Sequence, residues 1–345
     1  MKALTLLAVG GPEHLRVQEL PEPTIQSSDQ VLLRVRAVAL NRLDLWVAAG
    51  LPGVKYSFPH VMGSDGAGTV LEVGSTVSRF RPGDRVMINP ALSCGKCPWC
   101  LQGEDSLCGS LQVLGEHRSG TAAEYVVLPA ENLAPVPESM PWAQAAAFSL
   151  ATLTAWRMLT TRGRVHADET ILIWGVGGGV ALAALQIARH LGARTIVTSG
   201  TEAKLELARS LGADFVLNHR RVNVATEVRQ LTEGRGVDAI VDSVGEQSWR
   251  GSLASLKRGG RLMICGATTG PAVSLDLRRL FWHQWSILGS TLGSRQEYAE
   301  IVRLAGEGKL WPVVDQVVPW DQALSAIQRL EQGEQVGKLV IEVTQ

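Results

Sequence analysis

The chain has 345 residues, 46% of them hydrophobic, and its 33 Lys and Arg side chains balance its 33 Asp and Glu side chains. At about 150 residues per domain, this length predicts two domains. The balanced charge gives no basis for a nucleic-acid or membrane-surface partner. The sequence has no run of about 20 apolar residues and no signal-peptide pattern, so we expect a cytoplasmic protein.

Short β-branched segments separated by Gly and Pro turns fill the first third of the chain. This pattern predicts a β-rich domain with strands at residues 1–9, 31–40, 61–73, 85–88 and 125–128. The character of the chain changes near residue 140. There, Ala and Leu at helical spacing predict a helix at 142–159.

Strands and helices alternate in the next part of the chain. Strands are predicted at 170–174, 194–198, 215–217, 239–242, 261–265 and 287–291, and helices at 180–191, 204–211, 224–231 and 249–256. This alternation is typical of an α/β fold with a doubly wound, six-stranded parallel sheet. The remaining tail has predicted helices at 296–306 and 320–331 and strands at 313–318 and 338–343, and is too short to fold alone. We expect it to join the first domain, which gives domains of 1–150 with 294–345 and of 151–293.

A glycine-rich turn follows the first strand of this alternating series. The apolar run 171–174 leads into a turn and then at once into a predicted helix, and the turn consists of Gly175, Val176, Gly177, Gly178, Gly179, Val180 and Ala181. Glycines let the backbone approach a pyrophosphate closely, and the helix N-terminus presents free N–H groups to it. A glycine cluster alone also fits an ordinary loop. Its place at the head of a strand–helix series predicts a nicotinamide dinucleotide site and therefore an oxidoreductase.

The end of the second strand in this series favours NADP(H) over NAD(H). An NAD site usually carries an acidic side chain about 20 residues after the first glycine, where it binds the ribose 2′-hydroxyl. Ser199 holds that place here, and its hydroxyl and that of Thr201 can bond a 2′-phosphate without repelling it. Lys204 adds positive charge, and we expect Glu202 to point to solvent. NAD(H) is the alternative.

Four of the five cysteines lie within one short loop, namely Cys94, Cys97, Cys100 and Cys108. Four soft thiolates that close together suit a tetrahedral zinc ion. Because all four ligands come from the protein, no position stays open for a substrate, so we expect one structural zinc per chain. Two disulfides or an iron–sulfur cluster are the alternatives. Cys265 stands apart, and its apolar neighbours predict a buried strand residue.

Several longer segments resemble the medium-chain dehydrogenase/reductase superfamily, which includes zinc alcohol dehydrogenases and quinone oxidoreductases. The resemblance covers nearly the whole chain and rests on MKAL…GGPEHLRVQELPEP, GSDGAGTVLEVGSTVSRFRPGDRV, GTAAEYVVLP, LTAWRML, ARSLGADFVLNH, VDSVG and GKLVI. It implies a Rossmann domain and a GroES-like catalytic domain, the latter built from the N-terminal part and the C-terminal tail with a zinc lobe at about 91–110. It also implies a homodimer or homotetramer that acts on a small-molecule substrate.

The same resemblance implies cofactor contacts residue by residue. Thr154 would touch the nicotinamide carboxamide, and His219 and Arg220 would lie near the adenosine 2′-phosphate. Three loops would line the cofactor, at Val244 and Gly245, at Gly266 and Ala267, and at Ser290 and Thr291.

The resemblance also implies where a catalytic zinc would be held, and its ligands are missing. We place the three ligand positions at Asn41, Ser64 and Leu150, none of which is an ordinary zinc ligand. Asp44 and Asp65 remain nearby in the sequence, but two carboxylates without imidazole or thiolate make a poor zinc site. We therefore expect no catalytic metal.

Without that metal, reduction of an electron-poor acceptor is favoured over oxidation of an alcohol. Lowering the pKa of an alcohol from about 16 to about 7 amounts to about 12 kcal/mol, and zinc is its usual source. A quinone or an α,β-unsaturated carbonyl already stabilises the developing negative charge, so hydride transfer mainly needs positioning. The alternatives are an alcohol or aldehyde dehydrogenase with an atypical site and a non-catalytic nucleotide-binding protein.

Three residues are the candidates for catalysis. The resemblance implies that the amide of Asn41 lies near the nicotinamide or the substrate carbonyl, and a turn-stabilising role for it stays open. Asp44 and Asp65 can orient their neighbours by hydrogen bonds, and a purely structural role for each also stays open.

Overall fold

The structure, a computed structural model, describes residues 1–343. The chain falls into two units, Ala151–Leu292 and a unit that joins Met1–Leu150 to the residues from Gly293 onward. In chain order the strands are β1 (Lys2–Leu6), β2 (Leu15–Glu19), β3 (Gln30–Ala39), β4 (His60–Val61), β5 (Asp65–Val73), β6 (Arg85–Ile88), β7 (Ala91–Leu92), β8 (Gln112–Val113), β9 (Tyr125–Pro129), β10 (Leu133–Pro135), β11 (Thr170–Ile173), β12 (Arg194–Ser199), β13 (Phe215–Asn218), β14 (Val237–Asp242), β15 (Leu256–Ile264), β16 (Ser286–Gly289), β17 (Val314–Pro319) and β18 (Lys338–Glu342).

The α-helices, in the same order, are α1 (Arg42–Ala49), α2 (Pro98–Leu101), α3 (Trp142–Arg157), α4 (Gly179–His190), α5 (Glu202–Ser210), α6 (Val224–Leu231), α7 (Glu246–Ser255), α8 (Leu277–His283), α9 (Arg295–Gly306) and α10 (Ala323–Gln332). A π-helical turn at Met158–Arg162 extends α3, and a 3-10 turn at Trp320–Gln322 precedes α10. Within residues 1–343, no helix has both the length and the apolar composition needed to cross a membrane.

Strand β3 is the centre of the first unit. Buried and partly exposed side chains alternate along most of it, which is the pattern of a strand with one face on a core. It pairs antiparallel with β5, β9 and the C-terminal β18. The sheet has the order β10-β6-β5-β3-β18-β17, with β9 beside β3. The C-terminal tail therefore belongs to the sheet that begins near the N-terminus, and its Leu339 joins Leu33 and Leu128 in the same core.

The second unit is built on six parallel strands in the order β13-β12-β11-β14-β15-β16. Numbered within the unit, this order is 3-2-1-4-5-6, which is the order of two mononucleotide-binding halves joined at β11 and β14. Helices α4 to α7 connect successive strands. Leu172, Ile196 and Ile240 are fully buried in its core. The predicted doubly wound parallel sheet is confirmed.

Some elements differ from the sequence prediction for identifiable reasons. The predicted strand at 61–73 is divided into β4 and β5, and Gly63 between them has a φ of 89°. Helix α8 is not predicted, because its large apolar side chains face outward and leave no amphipathic pattern. Leu277, Phe281 and Trp282 are 66%, 66% and 65% exposed. Helix α7 begins at Glu246, ahead of the predicted start at 249.

Candidate functional site

The glycine-rich turn joins β11 to α4 and contains six residues predicted to bind a dinucleotide: Gly175, Val176, Gly177, Gly178, Gly179 and Val180. Gly175 and Gly177 adopt φ angles of 70° and 122°, a region that favours glycine. Val176 N donates to Thr198 O at 2.8 Å, which ties the turn to β12. No side chain caps the N-terminus of α4, where Gly178 is the N-cap residue. The turn and the uncapped helix end therefore fit a pyrophosphate.

Lys204, on α5, lies against this turn. A Cβ atom at Gly177 would come within 2.5 Å of Lys204 Cδ, so glycine is required for the backbone and this side chain to approach so closely. The sequence pattern predicts Lys204 near a 2′-phosphate. In the structure its methylene groups lie beside the turn that fits the pyrophosphate, and the assignment of Lys204 to a 2′-phosphate stays a prediction.

Three further predicted cofactor residues lie together at the carboxyl ends of β12 and β13. Ser199 ends β12 and is buried. His219, directly after β13, donates its backbone N–H to Ser199 O at 3.1 Å. A Cβ atom at Gly200 would be 2.7 Å from Arg220 Nε and 3.1 Å from His219 Nε2, so both side chains converge on Gly200. Glu202 is exposed, as expected from the sequence.

The remaining predicted cofactor loops follow β14, β15 and β16, at the same edge of the sheet as Ser199. Gly245 has a φ of 92° and packs on Ala267, whose Cα would lie 3.0 Å from a Cβ at Gly245. Ser290 N donates to Ile264 O at 2.9 Å, and Ser290 Oγ is buried with no hydrogen-bond partner among the described residues. Gly266 and Thr291 are the other predicted residues of these loops. The last predicted cofactor residue, Thr154, is buried on α3.

Asp242, at the end of β14, organises the loop that carries Gly245. Its buried carboxylate accepts hydrogen bonds from Val244 N at 2.8 Å and from Gly245 N at 3.2 Å. The hydroxyls of Ser248 and Ser252 donate to it at 2.9 and 2.8 Å. Four donors around one carboxylate fix both the positive-φ glycine and the first turns of α7. Asp242 was not predicted as a site residue, because an aspartate at the end of a strand is too common to indicate a role.

The four clustered thiols fit a tetrahedral zinc ion. Their Sγ atoms all lie within 4.8 Å of one another, with 3.9 Å between Cys94 and Cys100 and 3.5 Å between Cys97 and Cys100. Zn–S bonds of about 2.3 Å imply S–S separations of about 3.8 Å in a tetrahedron. The cysteines are all free thiols. Within residues 1–343 this is the one group of three or more His, Cys, Asp or Glu side chains placed to share a metal ion.

Backbone N–H groups favour thiolates in this zinc lobe. Cys94 N and Ser110 N donate to Cys108 Sγ at 3.5 and 3.4 Å. Hydrogen bonds from the backbone of Lys96 and Cys97 lower the pKa of the Cys94 thiol to about 6, whereas burial raises the pKa of the Cys100 thiol to about 11. Zinc binds the deprotonated sulfur, so the four-thiol donor set and the backbone N–H groups around Cys94 and Cys108 fit the predicted ion.

The three predicted catalytic residues lie in one buried cluster of the first unit. Asn41 precedes α1, Asp44 lies in its first turn and Asp65 begins β5. Asn41 Nδ2 donates to Asp65 Oδ2 at 3.0 Å and to Ala39 O at 3.3 Å. Asp44 accepts from Asn41 N at 2.7 Å and from Gly63 N at 3.1 Å. Burial nevertheless raises the pKa of the Asp44 carboxyl to about 6.

The sequence resemblance assigns a catalytic zinc to three positions whose polar groups are bonded within the protein. The amide of Asn41 bonds to Asp65. The hydroxyl of Ser64 is buried and donates to Leu114 O at 2.7 Å. Leu150 has an alkyl side chain, and its backbone N–H donates to Asp65 Oδ1 at 2.8 Å. An amide, a hydroxyl and an alkyl group are not a donor set that zinc prefers.

Lys338, on β18, is a fourth charged or polar member of this cluster. It is 4% exposed, and its Nζ lies 2.5 Å from Asn41 Oδ1 and 3.1 Å from Asp65 Oδ2. We call Asn41, Asp44, Asp65 and Lys338 the polar cluster. Lys338 was not predicted as a site residue, because 297 and 273 residues separate it from these two partners and no local pattern connects them.

Known proteins resemble the chain along its full length. A model of the alcohol dehydrogenase GroES-like domain matches residues 27–138, and a zinc-binding dehydrogenase model matches residues 179–307. An NAD-dependent alcohol dehydrogenase of Sulfolobus acidocaldarius is 32% identical, and the alignment covers 100% of both chains. This chain belongs to the medium-chain dehydrogenase/reductase superfamily. A quinone oxidoreductase of Mus musculus is 30% identical, with 99% of this chain and 97% of the relative covered.

Solved structures of this superfamily match the whole chain as well. A crystal structure named NAD-dependent alcohol dehydrogenase shares 46% identity and a TM-score of 0.96, with 100% of both chains covered. The family assignment confirms the GroES-like and Rossmann folds predicted from the sequence and the prediction of an oxidoreductase. The names of the relatives include both alcohol dehydrogenases and quinone oxidoreductases. The substrate class therefore has to be argued from the site.

Proposed function

We propose that this superfamily member is an NADPH-dependent reductase of quinones or α,β-unsaturated carbonyls that works without a catalytic metal. The observation that carries the proposal is the chemistry of the three positions that would hold a catalytic zinc. Asn41, Ser64 and Leu150 supply no thiolate, imidazole or carboxylate, and their polar groups are bonded within the protein. The Asp44 carboxylate accepts from the backbone N–H groups of Asn41 and Gly63. The Asp65 carboxylate accepts from Leu150 N and from Lys338 Nζ.

This donor set favours reduction over alcohol oxidation. Oxidising an alcohol requires an alkoxide-like state, which costs about 12 kcal/mol to reach from an alcohol of pKa about 16 at neutral pH. The only metal-ligating groups in the polar cluster are the carboxylates of Asp44 and Asp65, which are already hydrogen-bonded within the protein, and without thiolate or imidazole they make a poor site for a Lewis acid that would lower that cost. When bound, the reduced nicotinamide supplies a hydride, and an electron-poor acceptor itself stabilises the resulting negative charge. We assign Asn41 to the acceptor's carbonyl oxygen, and Asp44 and Asp65 to positioning.

The preference for NADPH is part of the proposal. The carboxyl end of β12 carries Ser199 and no acidic side chain, and the side chains of His219 and Arg220 converge on the adjacent Gly200. A guanidinium at this place attracts the 2′-phosphate of NADPH, and a hydroxyl can donate to it. Some of the similar proteins are named NAD-dependent alcohol dehydrogenases. The preference of this chain for NADPH over NADH therefore needs its own measurement.

Replacing Arg220 by alanine is expected to weaken NADPH binding and to leave NADH binding unchanged. A hydrogen bond to a charged group contributes about 1.5–3 kcal/mol, so the dissociation constant for NADPH should rise about 10- to 100-fold. The measurement is a fluorescence or calorimetric titration of each variant with both cofactors. Arg221→Ala is the matched control, because Arg221 is an exposed neighbour of the same charge. Equal weakening of NADH and NADPH would contradict the assignment.

The activity itself is tested by following the absorbance of NADPH with a simple quinone and with a simple enone. We expect oxidation of NADPH with at least one of them and one zinc ion per chain by elemental analysis. NADP+ or NAD+ reduction by alcohols, together with two zinc ions per chain, would establish the alternative that the names of the alcohol dehydrogenase relatives favour. No turnover with any of these substrates would favour a non-catalytic nucleotide-binding role.

Three further properties of the protein are predicted from the sequence alone. They are a cytoplasmic location, assembly as a homodimer or homotetramer, and binding of a small molecule without nucleic-acid or membrane partners. The assembly state is measured directly by sedimentation equilibrium of the purified chain.

A further inference from the structure

A buried lysine that no part of the proposed function uses lies in the polar cluster. Lys338 is on β18, which pairs with β3 directly before the segment that carries Asn41. Its side chain is 5% exposed, and that of Asp65 is fully buried. A buried ammonium is costly unless it is paired and hydrogen-bonded. Its place beside Asn41 and Asp65 therefore needs a reason.

Lys338 and Asp65 together determine which way the side-chain amide of Asn41 points. Its ammonium can only donate, so the atom of Asn41 that it meets at 2.5 Å must be the oxygen Oδ1. An ionised Asp65 can only accept, so the atom that it meets at 3.0 Å must be Nδ2. A flipped amide would set Nδ2 against the ammonium and Oδ1 against the carboxylate. Lys338 and Asp65 together thus allow a single orientation.

This orientation leaves one proton of Asn41 weakly held. Of the two protons on Nδ2, one is donated to Asp65 at 3.0 Å and the other to Ala39 O at the longer distance of 3.3 Å. The second proton can be given to a carbonyl oxygen of a substrate at small cost. With the amide flipped, an oxygen would stand in its place and repel that carbonyl.

We propose that Lys338 is a positioning residue for the reductase reaction, which acts by holding the Asn41 amide in its donor orientation. The inference rests on the proposed function in so far as Asn41 is the group that meets the substrate. Lys338 itself contacts Asn41 and Asp65 and needs no contact with the substrate. It also balances the charge of Asp65, which accepts a further hydrogen bond from Leu150 N.

The test is a double-mutant cycle between Lys338 and Asn41. Lys338→Met should lower kcat about 10- to 100-fold while the dissociation constant for NADPH stays unchanged. In an Asn41→Ala background the same substitution should cause no further loss of kcat, because no amide is left to be oriented. Lys338→Arg, which keeps a buried donor, should recover much of the rate. Lys309→Met, at an exposed lysine, is the control and should behave as wild type.

Three outcomes would overturn the proposal. They are an unchanged kcat in Lys338→Met, an equal loss with and without Asn41, and an Asn41→Ala variant as active as wild type. Lys338→Met leaves the buried Asp65 without its charged partner, and the single variant could then fail to fold. In that case the cycle is repeated with Lys338→Met combined with Asp65→Asn, which leaves no buried charge in this pair. The cycle is run on whichever substrate class the wild type turns over, so inactivity towards quinones and enones contradicts the proposed function alone.

Discussion

Replacing Cys108 by serine is expected to reduce the zinc content from one ion per chain to below about 0.1. A hydroxyl is a poor replacement for the buried thiolate, and the three remaining thiolates then form an incomplete site. If the lost ion costs about 2–4 kcal/mol of folding free energy, the midpoint of thermal unfolding falls by about 5–15 °C. Elemental analysis measures the first effect and circular dichroism the second.

Other contacts should keep the zinc lobe attached to its unit when the metal is lost. Arg295, at the start of α9, donates its backbone N–H to Asp105 Oδ2 at 3.0 Å and its guanidinium to Ser93 O at 3.1 Å. The same guanidinium makes two bonds of 2.7 Å to Glu131. We therefore expect the variant to stay folded at room temperature, with the loss confined to stability.

The fifth cysteine provides the matched control for this prediction. Cys265, predicted to be a buried strand residue, instead directly follows β15 and is only partly buried; Cys265→Ser therefore changes a thiol outside the cluster and should leave the zinc content at one ion per chain. A Cys108→Ser variant that retains a full equivalent of zinc would contradict the four-thiolate site. A coloured wild-type protein with iron in place of zinc would contradict the metal assignment itself.

The fold was predictable from the sequence where burial and periodicity agree. Each strand of the second unit is a short apolar run between turn residues, so all six strands are recovered, with ends that shift by a few residues. Helix α8 was not predicted, because Phe281 and Trp282 are exposed, whereas the large apolar side chains of a surface helix usually face the core. Strand β15 begins at Leu256, well before its predicted start at 261, because Leu256 already pairs with Val237 of β14; the register then shifts, and regular pairing resumes at Arg261.

The candidate site was predictable where a motif is local. The turn at 175–181 and the cysteine lobe each gather their residues within 20 positions, so spacing alone indicates them. Lys338 and Asp242 were not predicted, because both act on other residues. Lys338 orients an amide that is distant in the sequence, and Asp242 fixes the loop that holds Gly245. Supporting residues of this kind become visible only when the fold brings their partners together.

Replacing Asp65 by alanine is expected to cost about 3–5 kcal/mol of folding free energy, because it leaves a buried ammonium without its partner. The substitution removes the acceptor of three donors: Lys338 Nζ at 3.1 Å, Asn41 Nδ2 at 3.0 Å and Leu150 N at 2.8 Å. The ammonium would then stay buried without a carboxylate. Urea unfolding followed by tryptophan fluorescence measures the change, and Asp29→Ala, at an exposed aspartate, should stay within about 0.5 kcal/mol of wild type.

A second substitution separates the cost of an unpaired charge from the cost of lost packing. Adding Lys338→Met to Asp65→Ala leaves no buried ion in this pair, and replacing both members of a buried ion pair by apolar groups is often close to neutral. The double variant should therefore be more stable than Asp65→Ala alone, although it lacks one more native side chain. If it is instead less stable by the sum of both single effects, the buried charge is not what Asp65 balances. A recovery of stability without a recovery of kcat would show that the polar cluster holds Asn41 for the reaction as well as for the fold.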